Sequence, residues 1–168
     1  MRIATILALT VISAIPLLAQ DAQSLPAPPD VVAVPFYLDS SASQMKKLSA
    51  ESFNNKNPTP GVFTMKQSIE VKGAASAFRI PIQDKIVFVY DAVTTPRLYP
   101  FVVNDDKRKF EYGKVSVRGS TPIDGLPISI SRYKEKAFQF SSDQPLNPGE
   151  YAIVFGDHIY TFGVDNKK

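Results

Sequence analysis

Between Val62 and Lys72 the apolar side chains keep to one parity. Phe63, Met65, Ile69 and Val71 share one face, while Thr64, Lys66, Ser68, Glu70 and Lys72 share the other. A period of two is the signature of a half-buried β-strand. Similar short segments follow one another along the chain: Val31–Leu38, Gln44–Ser49, Ala77–Ile82, Ile86–Tyr90, Leu98–Val103, Lys109–Tyr112, Lys114–Arg118, Ile128–Tyr133, Ala137–Phe140, Tyr151–Phe155 and Ile159–Val164. Turn residues separate nearly all of them. Beyond the N-terminal apolar run no stretch holds an i, i+3, i+4 apolar pattern over three turns. The nearest, Ala42 to Phe53, offers Met45, Leu48 and Phe53 but is polar and short. The expected fold is therefore all-β.

Proline placement narrows the choice among all-β folds. Pro35, Pro81, Pro100 and Pro127 each fall inside or at the start of an expected strand, and a residue without an N–H is tolerated in a sheet only at edges, ends or bulges. An open two-sheet sandwich has four edges to offer and a closed barrel has none, so a sandwich is expected ahead of a barrel. The segment Leu146-Asn147-Pro148-Gly149-Glu150-Tyr151 has the L-x-P-G-x-Y form of the tyrosine corner of Greek-key sandwiches. In such a corner Pro148 and Gly149 make the turn, Leu146 packs beneath it, and the Tyr151 hydroxyl reaches back to an upstream backbone group. In that register Ala137–Phe140 is strand E, Tyr151–Phe155 strand F, Gly156-Asp157 a hairpin turn and Ile159–Val164 strand G, giving an Ig-like Greek-key β-sandwich.

Three further stretches carry a likeness to known sequences. They are Pro35-Phe36-Tyr37-Leu38-Asp39 with Met45-Lys46-Lys47-Leu48 downstream, Ala77-Phe78-Arg79-Ile80-Pro81, and Leu146 to Ala152 closing with Phe162-Gly163-Val164-Asp165. In these the chain resembles a family of uncharacterised exported bacterial β-domain proteins, Acidobacteria-like in origin. The resemblance implies an exported β-domain and supplies no catalytic residue.

At the N-terminus Arg2 precedes the apolar run Ile3 to Leu18, which reads as a secretory signal peptide cut after Ala19. The run is short for a membrane span, so no membrane insertion is expected after cleavage. Gln20 to Asp30, with Pro26, Pro28 and Pro29, reads as an extended spacer. The expected organisation is a signal peptide over 1–19, a Pro-rich spacer over 20–30, an N-terminal strand pair and connection over 31–60, and the sandwich over 61–168. The product is expected to be secreted or periplasmic.

Composition removes whole classes of function. With no cysteine among 168 residues there is no disulfide, thiolate metal site or Cys nucleophile, and a lone histidine builds no poly-His centre. A net charge of +3 does not announce nucleic-acid binding, which needs a clustered basic face. His158, the only possible base of a Ser–His pair, follows the expected turn and reads as solvent-exposed. Glu70, Asp84, Glu111 and Asp124 are candidates for a two-carboxylate hydrolase, but nothing in the sequence sets two of them across a cleft. With no tryptophan, sugar stacking would fall to tyrosine or phenylalanine. Asn104, Asp105 and Asp106 could form a weak calcium site, although they lack the alternate spacing of an EF-hand loop. Followed by Lys107-Arg108-Lys109, they read instead as a charged, solvated hairpin turn. The eleven Phe and seven Tyr mostly fall on alternating strand positions, as core packing requires.

No residue is thus assigned as catalytic, cofactor-binding or metal-ligating, and no cofactor is expected. The function expected from the sequence is that of a non-enzymatic exported interaction or structural module contacting a protein or envelope component. The alternative is a secreted hydrolase or small-ligand binder with a loop-borne carboxylate site.

Overall fold

The computed structural model describes residues 25–28, 30, 33–56, 64–91, 94–134 and 136–166. The expected signal peptide, most of the spacer, Val31 and Phe63 lie outside the described residues. Among those residues the chain is all-β and its strands form three sheets.

The first sheet is antiparallel throughout, in the order β11 (Ile128–Tyr133), β12 (Ala137–Ser142), β6 (Val87–Tyr90), β1 (Phe36–Asp39), β2 (Gln44–Lys47). The second runs β5 (Arg79–Pro81), β14 (His158–Asp165), β13 (Gly149–Phe155), β7 (Arg97–Pro100), with β5 parallel to β14. The third runs β10 (Gly119–Pro122), β9 (Lys107–Ser116), β4 (Met65–Lys72), β3 (Phe53–Lys56), with β8 (Val102–Asn104) also paired to β9. Its strands come from two segments, one between β2 and β5 and the other between β7 and β11.

Side-chain alternation shows how the sheets stack. From β13, Tyr151, Ile153 and Phe155 join Leu98, Tyr160 and Phe162 in a core shared with Tyr37, Phe88, Tyr90 and Phe140 of the first sheet. The opposite parity of the same strands, Ala152, Val154, Tyr99 and Ile159, packs on Ile69, Val71, Phe110 and Tyr112 of the third. The second sheet is therefore a middle layer with apolar side chains on both faces, which is why Tyr151 to Phe155 is an unbroken apolar run. Ring contacts tie the layers: Phe88 lies 4.9 Å from Phe162 on one side, and Tyr99 stacks on Phe110 at 4.6 Å on the other.

A two-layer sandwich is thus extended by a third sheet. The four prolines sit where a missing N–H is harmless: Pro81 and Pro100 end the edge strands β5 and β7, Pro127 precedes the edge strand β11, and Pro35 precedes β1. Beyond the first sheet's outer face, the Tyr133 hydroxyl donates to the Pro26 carbonyl (2.8 Å) and Lys134 Nζ to the Leu25 carbonyl (2.6 Å).

The β1–β2 hairpin closes on a carboxylate. Asp39 accepts hydrogen bonds from Lys46 Nζ (2.8 Å), Ser41 Oγ (2.6 Å) and the Ala42 amide (3.3 Å). Lys46, then Ser41, hold its pKa down to about 2 from an ordinary 3.8. Because the folded value lies below the unfolded one, the hairpin's gain from this group is present above the ordinary carboxylate range and is lost as pH falls towards 2. Titration of the Asp39 side chain by NMR is expected to show a midpoint near 2 that rises in Lys46→Ala; an unshifted midpoint would mean the turn does not close this way.

Candidate functional site

Two places gather polar chemistry: a charged network between the second and third sheets, and an open cleft on the third. The network is built on Arg108. Strand alternation along β9 sends Arg108, Phe110 and Tyr112 inward, while Lys107 and Lys109 stay exposed. Arg108 is only 1% exposed and faces Glu150 of β13 and Thr161 of β14. The solvated basic turn expected from Lys107-Arg108-Lys109 is therefore corrected at its middle residue: the turn is Asp105-Asp106, and the arginine belongs to the interior.

All five guanidinium N–H groups have acceptors. Nε donates to the Gly73 carbonyl (2.9 Å), Nη1 to Ser76 Oγ and Thr161 Oγ1, and Nη2 to Glu51 Oε2 (2.6 Å) and the Lys72 carbonyl (3.3 Å). Glu51 reaches this point because Ala50 pairs with Tyr160 and the Glu51 amide donates to the Ile159 carbonyl, laying the 50–51 segment along β14. The Thr161 hydroxyl donates in turn to Glu51.

Glu150 is the buried anion of the group, 8% exposed. Its Oε2 accepts from the Ser76 amide (2.7 Å) and hydroxyl (2.6 Å), and its Oε1 from Arg79 Nη1. Arg79 stands on β5 and crosses Gly163 of β14 to reach it. A Cβ at position 163 would overlap the guanidinium, so the crossing requires glycine. Arg79 also binds Asp165, and these two carboxylates, Asp165 foremost, make it hold its proton more tightly than a free arginine. Among the described residues no buried side-chain polar atom lacks a partner. A buried ion-pair network of this kind is costly to desolvate and tolerable only when fully hydrogen-bonded, as it is here.

The cleft arises from a gap in the third sheet. On one edge of β9, β8 pairs with residues 107–109 and β10 with residues 113–116, leaving Phe110 to Tyr112 without a strand beside them. The 123–126 segment borders the gap, with the Ile123 amide on the Tyr112 carbonyl (2.8 Å) and the Leu126 amide on the Leu98 carbonyl (2.6 Å). Gly125 is needed there because a Cβ would run into the Leu98 carbonyl. The resulting cavity, about 600 Å³, has buried Tyr99 and Phe110 in its wall together with exposed Lys66, Lys109 and Asp124 and half-buried Glu111.

Two of the four carboxylates considered from sequence, Glu111 and Asp124, therefore line one cavity. Glu111 is bonded to Lys66 Nζ at 2.8 Å. Glu70 pairs with Lys56 at 3.9 Å on the same sheet, and Asp84 is exposed in the β5–β6 connection. His158 is exposed at the start of β14, its ring 6.3 Å from that of Tyr160. Asn104 ends β8, and Asp105, at a φ of 51°, opens the turn into β9. Among the described residues no three His, Cys, Asp or Glu side chains converge in a manner that could hold a metal ion. The Tyr151 hydroxyl donates to the Asn147 carbonyl at 2.7 Å.

The network was missed in sequence because its members, Glu51, Ser76, Arg79, Arg108, Glu150, Thr161 and Asp165, are scattered over most of the chain. One signal was available: Arg108 shares the parity of Phe110 and Tyr112. No protein-family model matches the sequence, and no curated protein or solved structure is significantly similar to it.

Proposed function

We propose that the protein is an exported, non-enzymatic interaction or structural module with an Ig-like Greek-key sandwich at its centre, which meets a protein or envelope component through the cleft of its third sheet. Two features support the sandwich reading. The orders β1–β6–β12–β11 and β5–β14–β13–β7 follow the A-B-E-D and G-F-C orders of Ig-like domains, with β5 added parallel to the G position. The Tyr151 to Asn147 hydrogen bond is the contact that a tyrosine corner makes. Export rests on Arg2 and the apolar run that follows it.

The observation that carries the interaction reading is the composition of the cleft. Its wall combines buried aromatic rings with exposed charges of both signs, and its β9 carboxylate is already spent on Lys66. An apolar floor with a charged rim is the anatomy of a contact surface. A hydrolase or small-ligand site is the second reading, favoured by the meeting of Glu111 and Asp124 in one cavity of ligand-binding size.

One experiment separates them. A photo-crosslinker placed at Val102, a 70% exposed residue lining the cleft, is expected to give a discrete macromolecular adduct in the cell envelope, lost when Lys109→Glu and Asp124→Lys reverse the rim charges. Absence of an adduct, together with turnover of a glycoside or ester that collapses in Glu111→Gln, would replace this reading with the hydrolase. Recovery of the uncleaved chain from the cytosol would remove the export.

A further inference from the structure

The edge of a sheet is a row of unpaired N–H and C=O groups, and folded proteins keep it from pairing with other chains by shortness, proline, lysine, bulges or a covering segment. Nearly every edge among the described residues carries such a device. β2 has four residues, two of them lysine; β3 has four and ends in Lys56; β10 has four and ends in Pro122. β5 and β8 have three residues each, and β7 ends in Pro100 and is bridged by Leu126.

β11 is different. It is six residues long, Ile128 to Tyr133, holds neither proline nor lysine, and pairs with β12 without a bulge. Among the described residues no strand pairs with its outer edge, and the core there is unfinished. Ile130 stands opposite Phe140, so both lie on the face turned towards the second sheet; yet Phe140 is 1% exposed and Ile130 is 40% exposed. The core ends one strand short of being covered.

We propose that two copies of this chain associate through β11, paired antiparallel about a two-fold axis at Ile130, so that their first sheets become one continuous sheet. The strand's own sequence argues for a second copy as the occupant. In that register Ile130 of one copy meets Ile130 of the other on the core face. Ser129 meets Ser131 on the outer face, where hydroxyls can bond, and Ile128 meets Arg132. Moving the register by one residue would set the apolar face of one copy against the hydroxyl face of the other. An in-register parallel pairing would stack Arg132 on Arg132. The antiparallel two-fold avoids both conflicts and closes the assembly at two copies.

The test uses the absence of cysteine from the chain. In sedimentation equilibrium the purified protein is expected to pass from monomer to dimer over the micromolar range. Ile130→Lys, which sets like charges opposite each other, is expected to weaken that association by at least about tenfold. Under mild oxidation Ile130→Cys is expected to yield a disulfide-linked dimer, because opposed strand positions hold their Cβ atoms within bonding range. Val117→Cys, exposed in the turn between β9 and β10 and outside the cleft, should give no disulfide-linked dimer. This second arm stands even if the lysine variant folds poorly. A monomer at every concentration, a dimer indifferent to Ile130→Lys, or cross-linking at Val117 in place of 130 would overturn the proposal. None of these outcomes depends on the cleft, so the two proposals fail separately.

Discussion

Replacing Arg108 with methionine is expected to destabilise the protein by about 3–5 kcal/mol, the usual range when one partner of a buried charge network is removed. Methionine keeps much of the apolar stem, so the loss would come from the polar end. Ser76, Thr161, Glu51 and the carbonyls of Gly73 and Lys72 would lose a shared donor, and Glu150 a cation 3.8 Å away. Arg108→Lys should recover only part of the loss, since an ammonium has three donors and no planar fork to span five acceptors. Adding Glu51→Gln to Arg108→Met should return some stability, because Glu51 loses its cation when Arg108 is removed, whereas Glu150 keeps Arg79. Denaturant titration at constant m measures all three. A loss below about 1 kcal/mol in Arg108→Met would place the residue among surface ion pairs and deny it a role in joining the layers.

That network explains why the third sheet stays on the second although their shared apolar core is the smaller one. The first and second sheets meet over a wide aromatic core, whereas the second and third share fewer buried residues, chiefly Ile69, Val71, Tyr99, Phe101, Phe110, Ala152 and Ile159. Beside Phe101 Arg108 takes over, with its guanidinium 5.4 Å from the Phe101 ring, its donors on β14 and the 73–76 loop, and Glu150 of β13 3.8 Å away. Glu150 and Arg79 then bind the loop and β5 to the same point. Polar contacts fix orientation where apolar burial runs out.

Much of the strand content was legible, and the exceptions have physical reasons. β11 to β14 lie where alternation and turn residues put them. Lys109–Tyr112 and Lys114–Arg118 were read as two strands broken at Gly113, but they form the single strand β9. Gly113 is no turn: it sits at a bulge opposite Gln67, and a Cβ there would collide with the Gln67 side chain. Conversely Leu98–Val103 was read as one strand and is two. At Phe101 the chain leaves the second sheet, its amide bonded to the Glu150 carbonyl, and Val102 begins pairing in the third. β3 and β10 gave no signal because all their residues are exposed, and an edge strand without a buried face has no periodicity to read. The third sheet itself was announced only by the two-faced apolar run from Tyr151 to Phe155. The cleft's carboxylates were named from composition, yet Glu111 and Asp124 meet only because the 123–126 segment bonds to Tyr112 and Leu98, long-range contacts that no local pattern encodes.

Truncating Tyr151 to alanine is expected to cost about 3–5 kcal/mol, and the smaller change to phenylalanine about 1–3 kcal/mol. The ring is 6% exposed and stacks on Phe162 at 5.4 Å, so alanine opens a cavity between the first and second sheets as well as breaking a hydrogen bond. Phenylalanine keeps the stack and removes only the hydroxyl, leaving the Asn147 carbonyl without the donor it now has at 2.7 Å. The difference between the two variants therefore measures packing, and the phenylalanine value measures the turn. Since the hydroxyl ties residue 147 to the strand that follows it, the phenylalanine variant should also loosen the Leu146–Gly149 turn. Faster amide exchange is expected there, while the β13–β14 ladder stays protected. Equal stability of wild type and Tyr151→Phe, with unchanged exchange at the turn, would show that the corner is held by Leu146 and the proline alone, and would count against the Greek-key register that the corner supports.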